Sequence, residues 1–169
     1  LLAVSTLLFG DKPLPHPYKS CFVLGLVLGK DCKKLSKRLR NFDEPGKILD
    51  REGADAMRWY FYYAQPPWTS ARFDESAISE AQREFLIRLY NVYSFFIIYA
   101  NIDKFEPNGS GPAGKNSYRP IQQRSSLDRW IMAELHRTIK QTTDRLDELQ
   151  IHPAAGSLCE FVDVLSNWY

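Results

Sequence analysis

Apolar side chains recur at helical spacing along the second half of the chain. Between Asp74 and Ile102 they form two adjacent stripes whose members lie three or four residues apart. The stripes are Phe85, Leu89, Val92, Phe96 and Tyr99, and beside them Leu86, Tyr90, Tyr93 and Ile97. This spacing predicts a long α-helix with a wide apolar face, which we expect to be buried between neighbouring elements. Arg88, Asn91 and Ser94 interrupt the run and argue against a membrane span.

Two further amphipathic helices are predicted near the C-terminal end. Ser125 and Asp128 have the spacing of a capping box, and an apolar stripe begins at Leu127 behind them. Pro153 begins another helical pattern, whose inner face contains Ala154, Leu158, Phe161, Val162 and Leu165. We expect the three helices to cover most of Ser76–Asn101, Leu127–Asp147 and Ala154–Asn167. Joined by polar loops, such as the Gly/Pro-rich stretch Glu106–Pro120, they predict an antiparallel bundle.

The first half of the chain has shorter patterns. Leu1–Phe9 is apolar on all sides and predicts the end of a buried helix. Cys21–Leu28, rich in Val, Leu and Phe, predicts a buried strand with a kink or tight hairpin at Gly25. We expect at most two or three short strands, all before Asp43.

A short helix is predicted to begin at Asp43, as its cap, with Pro45 in the first turn, and to end before Gly53. The next helix, Ala54–Ala64, carries Met57, Trp59, Tyr60, Phe61 and Tyr63. Such an aromatic run could stack nucleic-acid bases, but its helical placement favours a packed core.

Composition and cysteine usage narrow the class of protein. At 44% hydrophobic residues the chain can bury a core, and a net charge of +2 is too small to indicate a nucleic-acid partner by itself. Cys21, Cys32 and Cys159 are far apart and odd in number, which favours free thiols in a cytoplasmic protein. No His or Cys spacing predicts a metal site.

A basic run, Lys33–Arg40, is the strongest candidate for chemistry. It places five cations around the hydroxyl of Ser36: Lys33, Lys34, Lys37, Arg38 and Arg40. Such a cluster suits a polyanion, either a nucleoside triphosphate or a nucleic-acid backbone, although a solvated surface is the commoner meaning of a basic run. Because Gly29 precedes it, we expect a mobile loop, with Asp31–Lys37 and Pro107–Ser117 as the most mobile tips.

The pentapeptide Lys34–Arg38, KLSKR, resembles the KMSKS signature of class I aminoacyl-tRNA synthetases. Leu35 replaces the Met with similar volume and polarity, and Arg38 replaces the last Ser. Within the class the chain is most similar to isoleucyl-tRNA synthetases, through five further segments in family order. These segments are Gly53–Tyr60 (GADAMRWY), Leu89–Phe96 (LYNVYSFF), Tyr99–Asp103 (YANID), Leu127–Ile131 (LDRWI) and Leu165–Tyr169 (LSNWY).

The resemblance implies a mainly α fold in two parts. Residues 1–73 would be the C-terminal part of a Rossmann-type catalytic domain with its KMSKS-type loop. Residues 74–169 would be the N-terminal part of an antiparallel helical bundle that binds the anticodon. The HIGH-type motif that such enzymes also need for ATP does not occur in these 169 residues. Apolar patterns reach both ends of the chain, so we expect a fragment that is inactive alone.

The activity implied is ATP-dependent activation of isoleucine and its transfer to tRNA(Ile). Lys34 and Lys37 would be catalytic, stabilising the departing pyrophosphate, and Lys34, Ser36 and Lys37 would bind ATP, which enters as its Mg²⁺ complex. The partners are then ATP, isoleucine and tRNA(Ile), with no membrane, and the parent protein is expected to be a cytoplasmic monomer. Arg88, Arg129, Arg137 and Lys140 are candidates for tRNA contact, although surface cations are usually only solvated.

Two alternatives stay open at this point. A valyl- or leucyl-tRNA synthetase would carry a similar loop. A helical RNA-binding or scaffold module without catalysis would use the basic loop only to meet phosphates.

Overall fold

The computed structural model describes residues 1–13, 16–18, 20–38, 40–42, 44–105 and 120–169, and these are mainly helical, as predicted. The α-helices in this part of the chain are α1 (Leu2–Phe9), α2 (Pro45–Glu52), α3 (Ala54–Tyr63), α4 (Glu75–Gln82), α5 (Arg88–Ile102), α6 (Ser126–Asp147) and α7 (Ile151–Trp168). A π-helical turn, Arg83–Ile87, joins α4 to α5, and a 3-10 turn, Ile121–Gln123, precedes α6. The expected cap Asp43 and the expected mobile tip Pro107–Ser117 lie outside the described residues.

A small parallel sheet connects the two halves of the N-terminal region. Strand β1 (Val27–Leu28) pairs with β2 (Ala71–Arg72), Val27 opposite Ala71. Since β2 follows Asp43, the expectation that all strands precede Asp43 is wrong. A two-residue strand is too short to show the alternation of apolar and polar side chains from which a strand is predicted.

The predicted strand Cys21–Leu28 is mostly not a strand and mostly not buried. Val23 and Leu24 are exposed by 71% and 68% because β1 has a single two-residue partner and nothing described covers the segment before it. Gly25 makes no hairpin. Instead its N–H donates to the Pro67 carbonyl at 2.8 Å, and a Cβ there would lie 2.0 Å from the Thr69 carbonyl oxygen.

The core lies where α2, α3, α4, the π-helical turn and α7 meet. Its buried members are Ile48, Ala56, Trp59, Tyr60, Phe73, Ile78, Ala81, Phe85, Ala155 and Val162. Trp59 stacks on Phe85 with ring centroids 4.0 Å apart, and the Tyr60 hydroxyl donates to the Arg72 carbonyl at 2.5 Å. The aromatic run of α3 is therefore packed core, as the helical placement favoured.

The long helix predicted over Ser76–Asn101 is present as α4, the π-helical turn and α5. Its first part enters the core through Ile78, Ala81 and Phe85, but α5 has no buried residue and Tyr90 is 68% exposed. The expectation that the whole helix is buried is wrong. An apolar face favours burial, but the sequence does not show whether another element packs against that face. By length and composition alone, Glu75–Ile102 contains an 18-residue window apolar enough to cross a membrane, with a mean hydropathy of 1.3, but the core helix of a soluble protein meets the same criterion.

The same correction applies to α1, which is a helix as predicted but is not buried. Ser5 is its one buried residue, and Leu7 is 85% exposed. Helix α2, in contrast, ends before Gly53 as predicted, and Gly53 takes φ +86°, a backbone conformation open to glycine.

Helices α6 and α7 form an antiparallel hairpin whose extents match the prediction. The capping box at Ser125 is confirmed, since the Ser125 hydroxyl accepts from Asp128 N at 3.1 Å and the Asp128 carboxylate accepts from Ser125 N at 3.3 Å. At the same end, the Tyr169 hydroxyl donates to Asp128 at 3.0 Å, which brings the last residue of the chain back to the start of α6. The inner face of α7 is confirmed by Ala154 and Val162, both buried.

Candidate active site

The basic run leaves the sheet directly after β1 and is fixed to it at its base. Gly29 N–H donates to the Lys33 carbonyl at 2.8 Å, Leu28 and Lys34 form an antiparallel bridge, and Leu35 N–H donates to the Val27 carbonyl at 3.4 Å. The chain therefore reverses over Gly29–Lys33 and returns beside β1. Lys34 thus lies on a backbone segment that the sheet holds in place.

Leu35 anchors this returning segment. Its side chain is half-buried and packs against the core cluster that contains Ile48 and Trp59. The position that the synthetase signature fills with Met is thus an apolar contact, which Leu makes equally well. Lys34, the residue directly before this anchor, stays exposed at the surface of the fold.

The catalytic candidate Lys37 lies in a turn beyond this anchor. The turn is closed by the Arg40 N–H, which donates to the Ser36 carbonyl at 3.0 Å, and it contains Lys37 and Arg38, both exposed. Ser36 itself is half-buried. Within the described residues, neither the Lys34 nor the Lys37 ammonium group has a carboxylate partner in an ion pair. Both charges are therefore available to an anion from solution.

Asn41 was not singled out by the sequence, yet its side-chain amide joins several parts of the loop. Its Oδ1 accepts from Ser36 N–H at 2.9 Å, and its Nδ2 donates to Asp31 Oδ1 at 2.9 Å and to the Lys34 carbonyl at 3.3 Å. The available signal was weak: Asp and Asn are common turn residues, and here Asp31 precedes the basic run and Asn41 follows it.

Gly29 has a different role from the one expected of it. The residue is buried, and a Cβ on it would lie 2.4 Å from the Asn41 carbonyl oxygen and 2.8 Å from Nδ2. The glycine is therefore needed for close approach of Asn41. The mobility expected for Asp31–Lys37 stays a prediction.

Electrostatics support an ionised Asp31 at the base of the loop. The pKa of its carboxyl is lowered, first by the hydrogen bond from the Asn41 side chain and then by the Lys33 backbone N–H.

The cysteines form no disulfide in the described residues. Burial raises the pKa of the Cys159 thiol in α7 to about 11. Cys21, Cys32 and Cys159 are all free thiols.

The loop can therefore offer positive charge at two differently held points. Lys34 stands on the segment fixed to β1, and Lys37 stands in the turn beyond it. Such an arrangement suits recognition of a phosphate chain by direct ammonium contacts. In the described ranges, no three His, Cys, Asp or Glu side chains converge to hold a metal ion.

The cations proposed to meet tRNA lie on α5 and α6. Arg88 pairs with Asp163 at 2.6 Å, Lys140 pairs with Asp144 at 2.8 Å, and Arg137 pairs with Glu134. Arg129 is exposed. Three of the four therefore already have a carboxylate partner, which favours the solvated-surface interpretation for them.

Comparisons with known proteins match both halves of the chain. Residues 1–72 match the family described as tRNA synthetases class I (I, L, M and V), and residues 128–169 match the family described as the anticodon-binding domain of tRNA ligase.

Among curated proteins, the chain is 42% identical over all of its 169 residues to an isoleucine–tRNA ligase of Clostridium tetani. It is 44% identical over the same length to an isoleucine–tRNA ligase of Clostridium kluyveri. In both cases the chain spans 15% of the relative's length.

A solved structure of the Agrobacterium radiobacter K84 agnB2 LeuRS, in ternary complex with tRNA and LeuAMS, superimposes with a TM-score of 0.75. It covers 96% of this chain and 20% of that one at 18% sequence identity, so it bears on the fold alone.

Proposed function

The chain belongs to the class I tRNA synthetases, and on that premise we propose that it is a segment of an isoleucine–tRNA ligase that contributes the phosphate-binding loop of the active site. The observation that carries this proposal is the pair of exposed lysines, Lys34 and Lys37, on either side of the half-buried anchor Leu35. The Leu35 anchor and the backbone hydrogen bonds to β1 fix the base of the loop. The two lysine side chains therefore leave the loop from defined backbone positions.

The proposed reaction begins with attack of the isoleucine carboxylate on the α-phosphorus of ATP. The bond from that phosphorus to the bridging oxygen breaks, and the electron pair leaves with pyrophosphate, so negative charge builds up on the departing phosphates. Lys34 and Lys37 stabilise this charge, and Ser36 binds a phosphate oxygen or holds the closed turn. ATP enters with its Mg²⁺ as the substrate complex.

Lysine suits this task better than a more rigid cation. A compact ammonium group on a flexible stem can approach the phosphates as charge develops and withdraw afterwards. A contact that strengthens only in the transition state raises kcat without tightening ATP binding. Lys37, in the turn beyond the anchor, has the greater reach, and Lys34 lies nearer the fixed base.

We further propose that the chain divides at residue 73. Residues 1–73 complete a Rossmann-type catalytic domain, and residues 74–169 begin an antiparallel helical domain that meets tRNA(Ile). The packing of α3 and α7 around one core supports a bracing role for the early helices. We also propose that the parent protein is a monomer and that it is cytoplasmic, and the free thiols are consistent with the second of these.

The test is amino-acid-dependent ATP–pyrophosphate exchange by the intact protein. We expect exchange with isoleucine and much less with valine or leucine. Exchange driven by leucine or valine instead would replace the isoleucine assignment by a sister enzyme. An intact protein that binds tRNA but exchanges with none of the three would support the non-catalytic RNA-binding alternative.

A chain limited to these 169 residues should show no exchange, because the HIGH-type motif that grips the nucleotide from the other side does not occur in it. Circular dichroism of the same sample shows whether it is folded. Isoleucine-dependent exchange by this chain alone would contradict the division of the ATP site between two segments.

A further inference from the structure

We infer that Asn41 is the positioning residue of the basic loop, since its side-chain amide sets the direction in which Lys37 presents its charge. The inference rests on the proposed function, because it names what holds the proposed catalytic lysine in place. Asn41 itself touches no reacting atom in this account. It acts through the backbone on both sides of Leu35.

The hydrogen bonds of one amide group span the whole loop. Oδ1 accepts from Ser36 N–H at 2.9 Å, directly before Lys37. Nδ2 donates to the Lys34 carbonyl at 3.3 Å and to Asp31 Oδ1 at 2.9 Å. Asp31 in turn accepts from Lys33 N–H at 3.1 Å. The outgoing and returning arms are therefore joined through a single side chain.

The orientation of the amide follows from its neighbours. Asp31 Oδ1 and the Lys34 carbonyl are acceptors, whereas Ser36 N–H is a donor, so only one of the two amide orientations satisfies all three. An aspartate at position 41 would keep the bond to Ser36 but would put a second carboxylate against Asp31. Alanine would remove all three bonds.

The surrounding backbone is shaped for this side chain. Gly29 leaves space that a Cβ would take, at 2.8 Å from Asn41 Nδ2, and Lys30 N–H donates to the Asn41 carbonyl at 3.4 Å. Asn41 is half-buried in this space. Asn41 is therefore held by hydrogen bonds to both its main chain and its side chain, as a positioning residue requires.

Loss of the amide should leave the fold but loosen the turn. Leu35 still packs into the core and still donates to Val27, so the base of the loop survives. Ser36, however, loses the acceptor of its N–H, and Lys37 follows it directly. A misplacement of about 1 Å at a reacting centre can lower a rate by roughly a hundredfold.

The experiment is a double-mutant cycle in the intact enzyme, with adenylate formation measured in single turnovers. Asn41→Ala should lower kcat roughly tenfold to a hundredfold with little change in the KM for ATP. In a Lys37→Ala background the same substitution should cost much less, because the charge it aims is gone. Asn167→Ala, which also removes an amide–carboxylate hydrogen bond, should leave the rate unchanged.

Exchange of the two side chains gives an independent rescue. Asn41→Asp alone brings two carboxylates together and should slow the reaction. Adding Asp31→Asn restores a donor–acceptor pair between positions 31 and 41 and should recover part of the rate, with the Lys34 carbonyl left without its donor. A purely structural role of Asn41 predicts a lower Tm but an unchanged kcat for the folded enzyme.

The outcomes separate this inference from the proposed function. If Lys37→Ala is slow and Asn41→Ala is as fast as wild type, the positioning role is overturned and the proposed function stands. An Asn41→Ala defect that is equally large with and without Lys37 also overturns it. If Lys37→Ala itself has the wild-type rate, the proposed function fails, and the positioning role fails with it.

Discussion

Two residues of the basic loop, Cys32 and Arg40, have left-handed backbone conformations, with φ of +59° and +47°. A non-glycine residue in this region carries a cost of roughly 1–2 kcal/mol, because its Cβ crowds the following carbonyl. The first reverses the chain after Gly29, and the second closes the turn that carries Lys37. The loop therefore stores backbone strain at both of its ends.

This strain can be measured by substitution with glycine. Arg40→Gly should destabilise the protein less than Arg38→Gly by about 1 kcal/mol, because glycine relieves a left-handed conformation only at position 40. Both changes remove one exposed arginine from the same turn, so charge is matched. Denaturant unfolding of the two variants gives the difference. A larger loss for Arg40→Gly would contradict the assignment of strain.

At the scale of single residues, the sequence identifies the two lysines of the loop but not the residues that position them. Lys34 and Lys37 are recognisable because they belong to a signature with a fixed spacing. Asn41 follows the run as an ordinary polar residue, and its role depends on Asp31 and Ser36 meeting it in space. Gly29 could be read as a hinge from the sequence, whereas the fold uses it for close approach.

Among the elements, the helices were predictable in extent because their apolar periods are long. The π-helical turn Arg83–Ile87 was not, since an extra residue in one turn leaves the apolar residues within a wide face. Its consequence is local: it accompanies the insertion of Phe85 against Trp59, at 4.0 Å between ring centroids. The strand β2 was missed because two residues carry no pattern.

We therefore expect Phe85, in the π-helical turn, to contribute strongly to the free energy of unfolding. Phe85→Ala should lower the free energy of unfolding by about 3–5 kcal/mol, because it opens a cavity beside Trp59 in the core. Tyr93→Ala, on the exposed part of α5, should change it by no more than about 0.5 kcal/mol. Chemical denaturation of both variants checks the contrast. Equal losses at the two positions would place α5 in the core and contradict the burial described for it.

For the molecule as a whole, family membership was predictable and burial was not. Six segments in family order make the resemblance specific, and the comparisons bear it out over the full chain. Burial of α1 and α5 was predicted from their apolar faces alone, and the structure leaves both largely exposed. The chain spans 15% of the length of the relatives it matches.

The central claim is that the basic loop stabilises the departing phosphates, and Lys37 tests it most directly. In the intact enzyme, Lys37→Ala should lower the single-turnover rate of adenylate formation by about a hundredfold, on the order of 3 kcal/mol, with the KM for ATP nearly unchanged. Lys37→Arg should recover only part of the rate, since a planar guanidinium cannot replace a compact ammonium on a flexible stem.

Lys47→Ala is the control, because it removes another exposed lysine, one that lies on α2 outside the loop. It should leave the rate unchanged. The account predicts slow adenylate formation for Lys37→Ala beside a normal Lys47→Ala enzyme. A Lys37→Ala enzyme that forms adenylate at the wild-type rate would contradict it, and normal adenylate formation with weakened tRNA binding would assign the loop to nucleic acid instead.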